Sequence, residues 1–555
     1  MFLVRRKRIS PPAVLTDKVV PVHYWDHYSK DAVIDFTMRF DHKLDVGMLR
    51  RSLEKLLDRQ DSWRRLGARV RLNIEGRLEY HVPAEYTKQR PAISFRHTPY
   101  SMSIKQHPTG SRLPTASAPL SESSCPTIVP GEGFVSLTRR PGDPTSFEDY
   151  LYTDRPMLGL HIVSFSDSTL VSLCSSHILF DAMGRKELLN AWSLTLQGRE
   201  QEVLPLIETD PLATLGTQHR TTDGPLGSAH EPYQHASKQL GLLQLLTLGM
   251  RQTLDKILHS KATEESRIIC VPQAFIDALR KDAFLALQPR NDKKPGEKAQ
   301  ANAFLSDGDI LCAWWTRQIV STRIRNTAHS SQTIAIMNML GLRRLLRREK
   351  LLPESAGALI ANAMVGLPAF IAARHIVGRP LGITAGILRT AIQELGTMAQ
   401  VDALLGLQRA ANSNGGIPAL FGNAGMHMVV CTNWTQARFF ELDFSAAVVP
   451  EEGEAEQVHG TLQMGPPGET DFDGNDRGSE QQMSAREPAR RIARPTSVQM
   501  HLNSASTPAF MMSIFTVLGK DEAGNYWITG TLRKKFWLGI EQALREGPSQ
   551  HSNKL

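Results

Sequence analysis

The residues best suited to chemistry are a histidine and an aspartate four positions apart, His177 and Asp181, in the segment TLVSLCSSHILFDAMGRKELLNAW that starts at Thr169. An imidazole titrates near neutral pH, so it can take a proton from a substrate and return it. The spacing alone says little, because a chain with 18 histidines yields on the order of one such pair by chance. Three occur: His27/Asp31, His219/Asp223 and His177/Asp181. His27 sits in the polar run HYSKD and His219 in HRTTD, among Thr, Gly and Pro residues that read as a connection. Only His177 has a rigid setting. Ser175 and Ser176 precede it, but no G-x-S-x-G elbow surrounds them, so they read as polar strand-edge residues rather than nucleophiles.

The elements that hold this pair follow from local pattern. Leu160 to Phe165 and Thr169 to Cys174 are β-prone runs around Ser166, Asp167 and Ser168, a hairpin signal. Beyond the pair, Leu188, Leu189, Trp192 and Leu196 recur at helical spacing, with Asp181 at the N-cap. The histidine therefore tops a buried strand and the aspartate opens a helix.

At 555 residues the chain exceeds what one core serves, so two domains are expected. Hydrophobic residues at 41% and charged residues at 22% exclude a disordered chain. The balance of 64 basic to 56 acidic residues leaves +8, with no long basic block and no nucleic-acid motif, so nucleic acid is not implied. Cys125, Cys174, Cys270, Cys312 and Cys431 are odd in number and contain no CxxC pair. Neither a disulfide framework nor a metal site is expected, and a reducing, cytoplasmic setting fits. MFLVRRKRIS lacks the apolar run of a secretory signal. Ala356 to Ala373 is uncharged but carries Asn362, Gly366 and Pro368, and reads as buried strand and turn, so no membrane span is expected.

Val19 to about Tyr86 reads as strand, helix and strands with a turn at Glu75-Gly76, an α/β pattern. Residues 105–133 are rich in Pro, Ser, Thr and Gly and read as a surface loop. The pattern weakens from about Gln201 to Ser237, and the leucine-rich QLGLLQLLTLGMRQTLDKIL reads as a helix packed on the body of the protein. This divides the chain into a first domain at 1–217, a connection with that helix at 218–262, and a second domain at 263–555. Residues 451–496 are polar and read as an inserted, disordered loop of the second domain.

Taken in order, VHYWDHY, DRPMLGLHIVSF, SSHILFDAMG, SDGDILCAWWTR, TNWTQARFFELDF and GKDEAGNYWITGTL resemble the BAHD acyl-CoA-dependent acyltransferases, in particular the branch similar to fungal trichothecene O-acetyltransferases. The resemblance spans most of the chain. It implies two chloramphenicol-acetyltransferase-like α/β domains with a central channel, and acyl transfer from acyl-CoA, as co-substrate, to a hydroxyl or less readily an amine of a small molecule such as a secondary metabolite. No bound cofactor is implied, and a monomer is expected. His177 would be the general base in the channel.

Asp181 matches the family's motif aspartate, implied to be structural and paired with an arginine; Arg343 or Arg344 would supply it, although Leu340 stands where the family usually has that arginine. Thr432, in Thr432-Asn433-Trp434, matches a hydroxyl residue implied to hold the oxyanion or acyl group, and Trp434 would line the channel or the core. The family's Asp-Phe-Gly-x-Gly is here Asp443-Phe444-Ser445-Ala446-Ala447, with both glycines replaced, and Ala182 replaces the glycine that commonly follows the motif aspartate. Two other readings stay open: a catalytically silent binding protein of the same fold, and a condensation enzyme of the peptide-synthetase superfamily, against which Ser176 occupies the place of a usual second histidine.

Overall fold

The computed structural model describes residues 8–116, 125–139, 141–217, 231–258, 264–288, 304–324, 329–353, 357–413, 419–450, 492–503 and 513–546. The expected hairpin forms from Leu158–Ser164 and Thr169–Ser176 in full antiparallel register. It lies inside a five-stranded sheet whose order is Ser497–Leu502, Val33–Phe40, Thr169–Ser176, Leu158–Ser164 and Ser94–Pro99. Alternation on Val33–Phe40 sends Phe36, Met38 and Phe40 into a core closed by the helices Val46–Leu57 and Ala182–Leu196. Trp192 of the second helix donates Nε1–H to Leu49 O (3.2 Å) and Ser52 Oγ (2.9 Å) of the first, so the facing sides of the two helices are registered by a satisfied indole.

A seven-stranded sheet forms the other half, in the order Met364–Ala372, Thr333–Gly341, His427–Asn433, Ile514–Lys520, Tyr526–Arg533, Glu264–Val271 and Thr127–Pro130. Helices Asp307–Arg323, Leu381–Leu395 and Lys534–Glu546 cover it through a second core built around Trp315 and Trp537. Each sheet takes an edge strand from the other half. Ser497–Leu502 pairs with Val33–Phe40, and Thr127–Pro130 pairs with Glu264–Val271. A division at 217 and 263 therefore cuts through both sheets.

The structure differs from expectation in four further places. Residues 127–130, read as loop, are a strand because a distant partner completes their pairing. The connection after Gln201 is not a free linker: Leu206, Ile207, Leu212 and Leu215 are buried. The leucine-rich helix, Leu242–Leu258, turns only the narrow face of Leu245, Leu248 and Gln252 to the body, leaving Leu243, Leu246, Met250, Leu254 and Ile257 54–79% exposed. Residues 451–491 lie outside the described residues, but Ala493, at the end of the segment read as a disordered loop, is buried and hydrogen-bonded at both its N–H and C=O.

Candidate active site

The strand that carries His177 ends at Ser176, and the chain then turns through Ile178 and Leu179 into the helix at Ala182. His177 N–H donates to Ala32 O at 2.7 Å, which prolongs the pairing with the neighbouring strand by one residue and fixes where the imidazole leaves the sheet. The side chain is half-buried. Nδ1 is sealed from solvent and makes no well-formed hydrogen bond, and the Asn362 side chain lies close enough to the ring to favour its protonated form. Burial lowers the pKa of the ring from its ordinary value; Asp181 and the residue's own carbonyl pull it back up, and Arg185 lowers it further. The unprotonated base therefore persists on the acid side of a free imidazole.

Asp181 makes no hydrogen bond to the imidazole; its oxygens are taken up by other partners. Its Oδ1 caps the helix by accepting Gly184 N–H (2.8 Å), and both oxygens accept the Arg343 guanidinium in a fork (2.7 and 2.8 Å). Oδ2 also accepts Ala363 N–H at 3.0 Å. Burial pushes this carboxyl up, but Arg343 and the two amides outweigh it and hold it below the usual carboxylate range. Arg343 is thus the partner; Arg344 is exposed. Arg343 also donates from Nε to Leu359 O (3.2 Å) and from Nη2 to Leu359 O (3.1 Å) and Ala361 O (2.8 Å), so it holds the segment 359–361 of the C-terminal half as well. Leu340, where the resemblance led us to look for an arginine, lies at the end of the strand Thr333–Gly341, and Arg343 begins the short helix Arg343–Arg348 that follows.

Three residues at this seam were not singled out in the sequence. Gly184 brings its helix against the same segment so closely that a Cβ would collide with Ile360 O. Asn362, on that segment, donates Nδ2–H to His177 O at 2.9 Å. Asp26, from the VHYWDHY run, accepts both Asn362 N–H and Nδ2–H at 2.8 Å. No local pattern marks these contacts, since each joins residues far apart in the chain.

Thr432 lies near the end of the strand His427–Asn433, its hydroxyl oxygen accepting Trp434 Nε1–H at 3.0 Å, which leaves the hydroxyl proton to donate elsewhere. Trp434 is buried and packs edge-on to Phe439 (6.2 Å between centroids), which meets Phe36 at 4.7 Å, so it belongs to the core of the N-terminal half. Among the described residues no hydrogen bond or ion pair joins Thr432 to His177.

Asp443 and Phe444 lie near the far end of the Ala182–Leu196 helix. Phe444 is fully buried between Phe40 and Trp192 (both 5.1 Å), and Asp443 O accepts Ser193 Oγ–H (2.6 Å) and Gln197 Nε2–H (3.2 Å). The residues that replace the glycines fit. Ser445 and Ala447 form a single 3-10 turn without positive φ, and the Ser445 hydroxyl donates to Asp443 Oδ1 and accepts Ala493 N–H at 2.9 Å.

No protein-family model matches the chain. Over 98% of both chains it is 35% identical to a protein named transcriptional regulator calD from Penicillium decumbens. Over 97% of both it is 31% identical to one named acetyltransferase adrJ from Penicillium rubens. Its fold matches the crystal structure of F. sporotrichioides TRI101 complexed with coenzyme A and T-2, with a TM-score of 0.57 over 95% of this chain and 97% of that one at 14% identity.

Proposed function

This chain belongs to the BAHD family of acyl-CoA-dependent acyltransferases, on the branch similar to fungal trichothecene O-acetyltransferases, and from that premise we propose that it transfers an acyl group from acyl-CoA to a small-molecule hydroxyl with His177 as general base. A neutral alcohol is a poor nucleophile, so His177 Nε2 takes its proton as the oxygen attacks the thioester carbonyl. The tetrahedral oxyanion collapses, the C–S bond breaks, and the imidazolium returns the proton to the CoA sulfur. A ternary complex suffices; no covalent acyl-enzyme forms.

Asp181 supports the base through the turn it caps rather than by touching substrate. Thr432, with its proton free of Trp434, donates to the oxyanion as charge develops, when a hydrogen bond contributes most to rate. Asp443 and Phe444 anchor the helix from its other end, and Trp434 is a wall of the core. Acyl-CoA and acceptor enter a cleft between the halves from opposite faces, and the acceptor is a secondary-metabolite hydroxyl. The protein acts as a cytoplasmic monomer. No helix of the described residues is long and apolar enough to cross a membrane.

The observation that carries this reading is a half-buried imidazole, kept unprotonated by burial, at the seam of the two halves. The name of calD suggests regulation, but a regulator has no use for a base held this way, which costs stability. Purified protein incubated with a panel of acyl-CoAs and an acceptor extract should release CoA thiol. His177→Ala should slow that release by about 10²- to 10⁴-fold; a variant as fast as the parent ends the assignment.

A further inference from the structure

Two carboxylates of the N-terminal half grip adjacent peptide units of one segment of the C-terminal half. Asp181 Oδ2 accepts the amide of Ala363 (3.0 Å), and Asp26 Oδ1 accepts the amide of Asn362 (2.8 Å). The two links act on the base by different routes. Asp181 fixes the start of the helix, four residues beyond the imidazole. Asp26 also accepts Asn362 Nδ2–H (2.8 Å), and that amide group donates onward to the carbonyl of His177 itself (2.9 Å). With His177 N–H on Ala32 O and Tyr80 Oη–H on Ile178 O (3.0 Å), the main chain that carries the imidazole is held on both sides.

We propose that Asp26 is a second positioning residue of the transfer site, fixing the main chain of His177 through the Asn362 side chain across the seam. The proposal rests on the acyl-transfer reading above. Asp26 is 4% exposed, and a carboxylate so buried is costly unless strongly hydrogen-bonded. The Asn362 bonds are what it gains there. The groups that face it are His23, with Nδ1 3.9 Å from Oδ2, Arg65, Asp210, the Tyr80 phenol and Asn362.

Burial pushes the Asp26 carboxyl up to about 7, against the Asn362 bonds and Arg65, with Asp210 adding to the rise. Above that value the ionised oxygen accepts two N–H groups with charge assistance. Below it the carboxyl is a weaker acceptor, and the clamp on His177 loosens. The proton on Asp26 then slows the transfer before the one on His177 stops it.

Asp26→Ala should lower kcat by about 10- to 100-fold with KM for acyl-CoA within about threefold, because the base is displaced rather than the donor. Asp26→Asn keeps an acceptor at Oδ1 whatever the pH, and should return kcat at pH 8 to within about fivefold of the parent. In the parent, kcat should begin to fall near pH 7 as Asp26 takes up its proton, ahead of the tenfold-per-unit fall that His177 imposes at lower pH; in Asp26→Asn only the His177 limb should remain. Deuterium exchange provides a readout independent of activity: at pH 8 the peptides covering 177–180 and 359–363 should exchange faster in Asp26→Ala and not in Asp26→Asn.

Equal acid limbs in parent and Asp26→Asn, or unchanged exchange at both peptides, overturn the proposal, and should Asp26→Ala not fold, the Asp26→Asn acid limb still decides it. If exchange responds as stated but the parent releases no thiol from any acyl-CoA, the clamp stands and the transfer reading falls.

Discussion

Replacing Arg343 by alanine removes all the guanidinium bonds that tie the halves together at Asp181. Asp181, 4% exposed, would keep only the amides of Gly184 and Ala363, and the carbonyls of Leu359 and Ala361 would lose their donors. Breaking a buried pair from one side costs about 3–5 kcal/mol, because the remaining charge is uncompensated. The cost depends on pH with a sign that follows from the structure. In the parent the Asp181 carboxyl is held low, so its stabilisation is present above the unfolded value of about 3.9 and lost as pH falls below it. In Arg343→Ala, burial is opposed only by the amides of Gly184 and Ala363 and raises the carboxyl. The variant is then most penalised near pH 7 and recovers part of the loss as Asp181 takes up a proton. Urea midpoints of parent and variant at pH 7 and pH 5 measure this, with exposed Arg344→Ala as the control that should stay within about 0.5 kcal/mol of the parent. A gap that is constant with pH, or an equal effect at Arg344, refutes the reasoning.

Gly184→Ala should destabilise by about 1–3 kcal/mol and lower kcat, since the new methyl must displace Ile360 O and the segment that holds Asp181; a parent-like midpoint would show that the two halves are less tightly apposed. Because burial lowers the His177 pKa, kcat/KM of Asp26→Asn, in which His177 alone titrates, should hold on the acid side until below the free-imidazole value of about 6.5, and an inflection above that value in this variant contradicts the site described. Leu246→Gln and Ile257→Gln, on the outward face of Leu242–Leu258, should leave the unfolding midpoint within about 0.5 kcal/mol, in contrast to a large loss for a buried leucine such as Leu188. Calorimetry or urea melts would show it.

The parts of the site that were legible in the sequence are those set by neighbouring residues. The hairpin around Asp167, the strand ending beside His177 and the cap at Asp181 each follow from alternation, turn chemistry or capping within a dozen positions. Arg343 and Arg344 could not be told apart from sequence, because which of two adjacent residues points inward depends on the helix phase after the strand Thr333–Gly341. Asp26, Asn362 and Gly184 were invisible for a different reason. Their importance lies in contacts between segments more than 150 residues apart, and nothing in VHYWDHY or ALIANAM announces an acceptor for the other. The same holds for the exchanged edges: Ser497–Leu502 follows a polar stretch, and only its partner Val33–Phe40 tells which sheet it joins. The lost glycines at 445 and 447 gave a warning that the backbone does not need, since neither position takes up a left-handed conformation.

The reciprocal border strands make the two lobes a clasp rather than a pair of beads. A protease nick between 217 and 231 would leave the pieces fastened to each other by two ladders of main-chain hydrogen bonds that meet around one small cavity. Produced as separate polypeptides, each piece would display a raw sheet margin and seek the other's missing ribbon or a wrong one. Attempts to shrink this protein to a single lobe should meet aggregation, while co-production of both pieces should rebuild the whole.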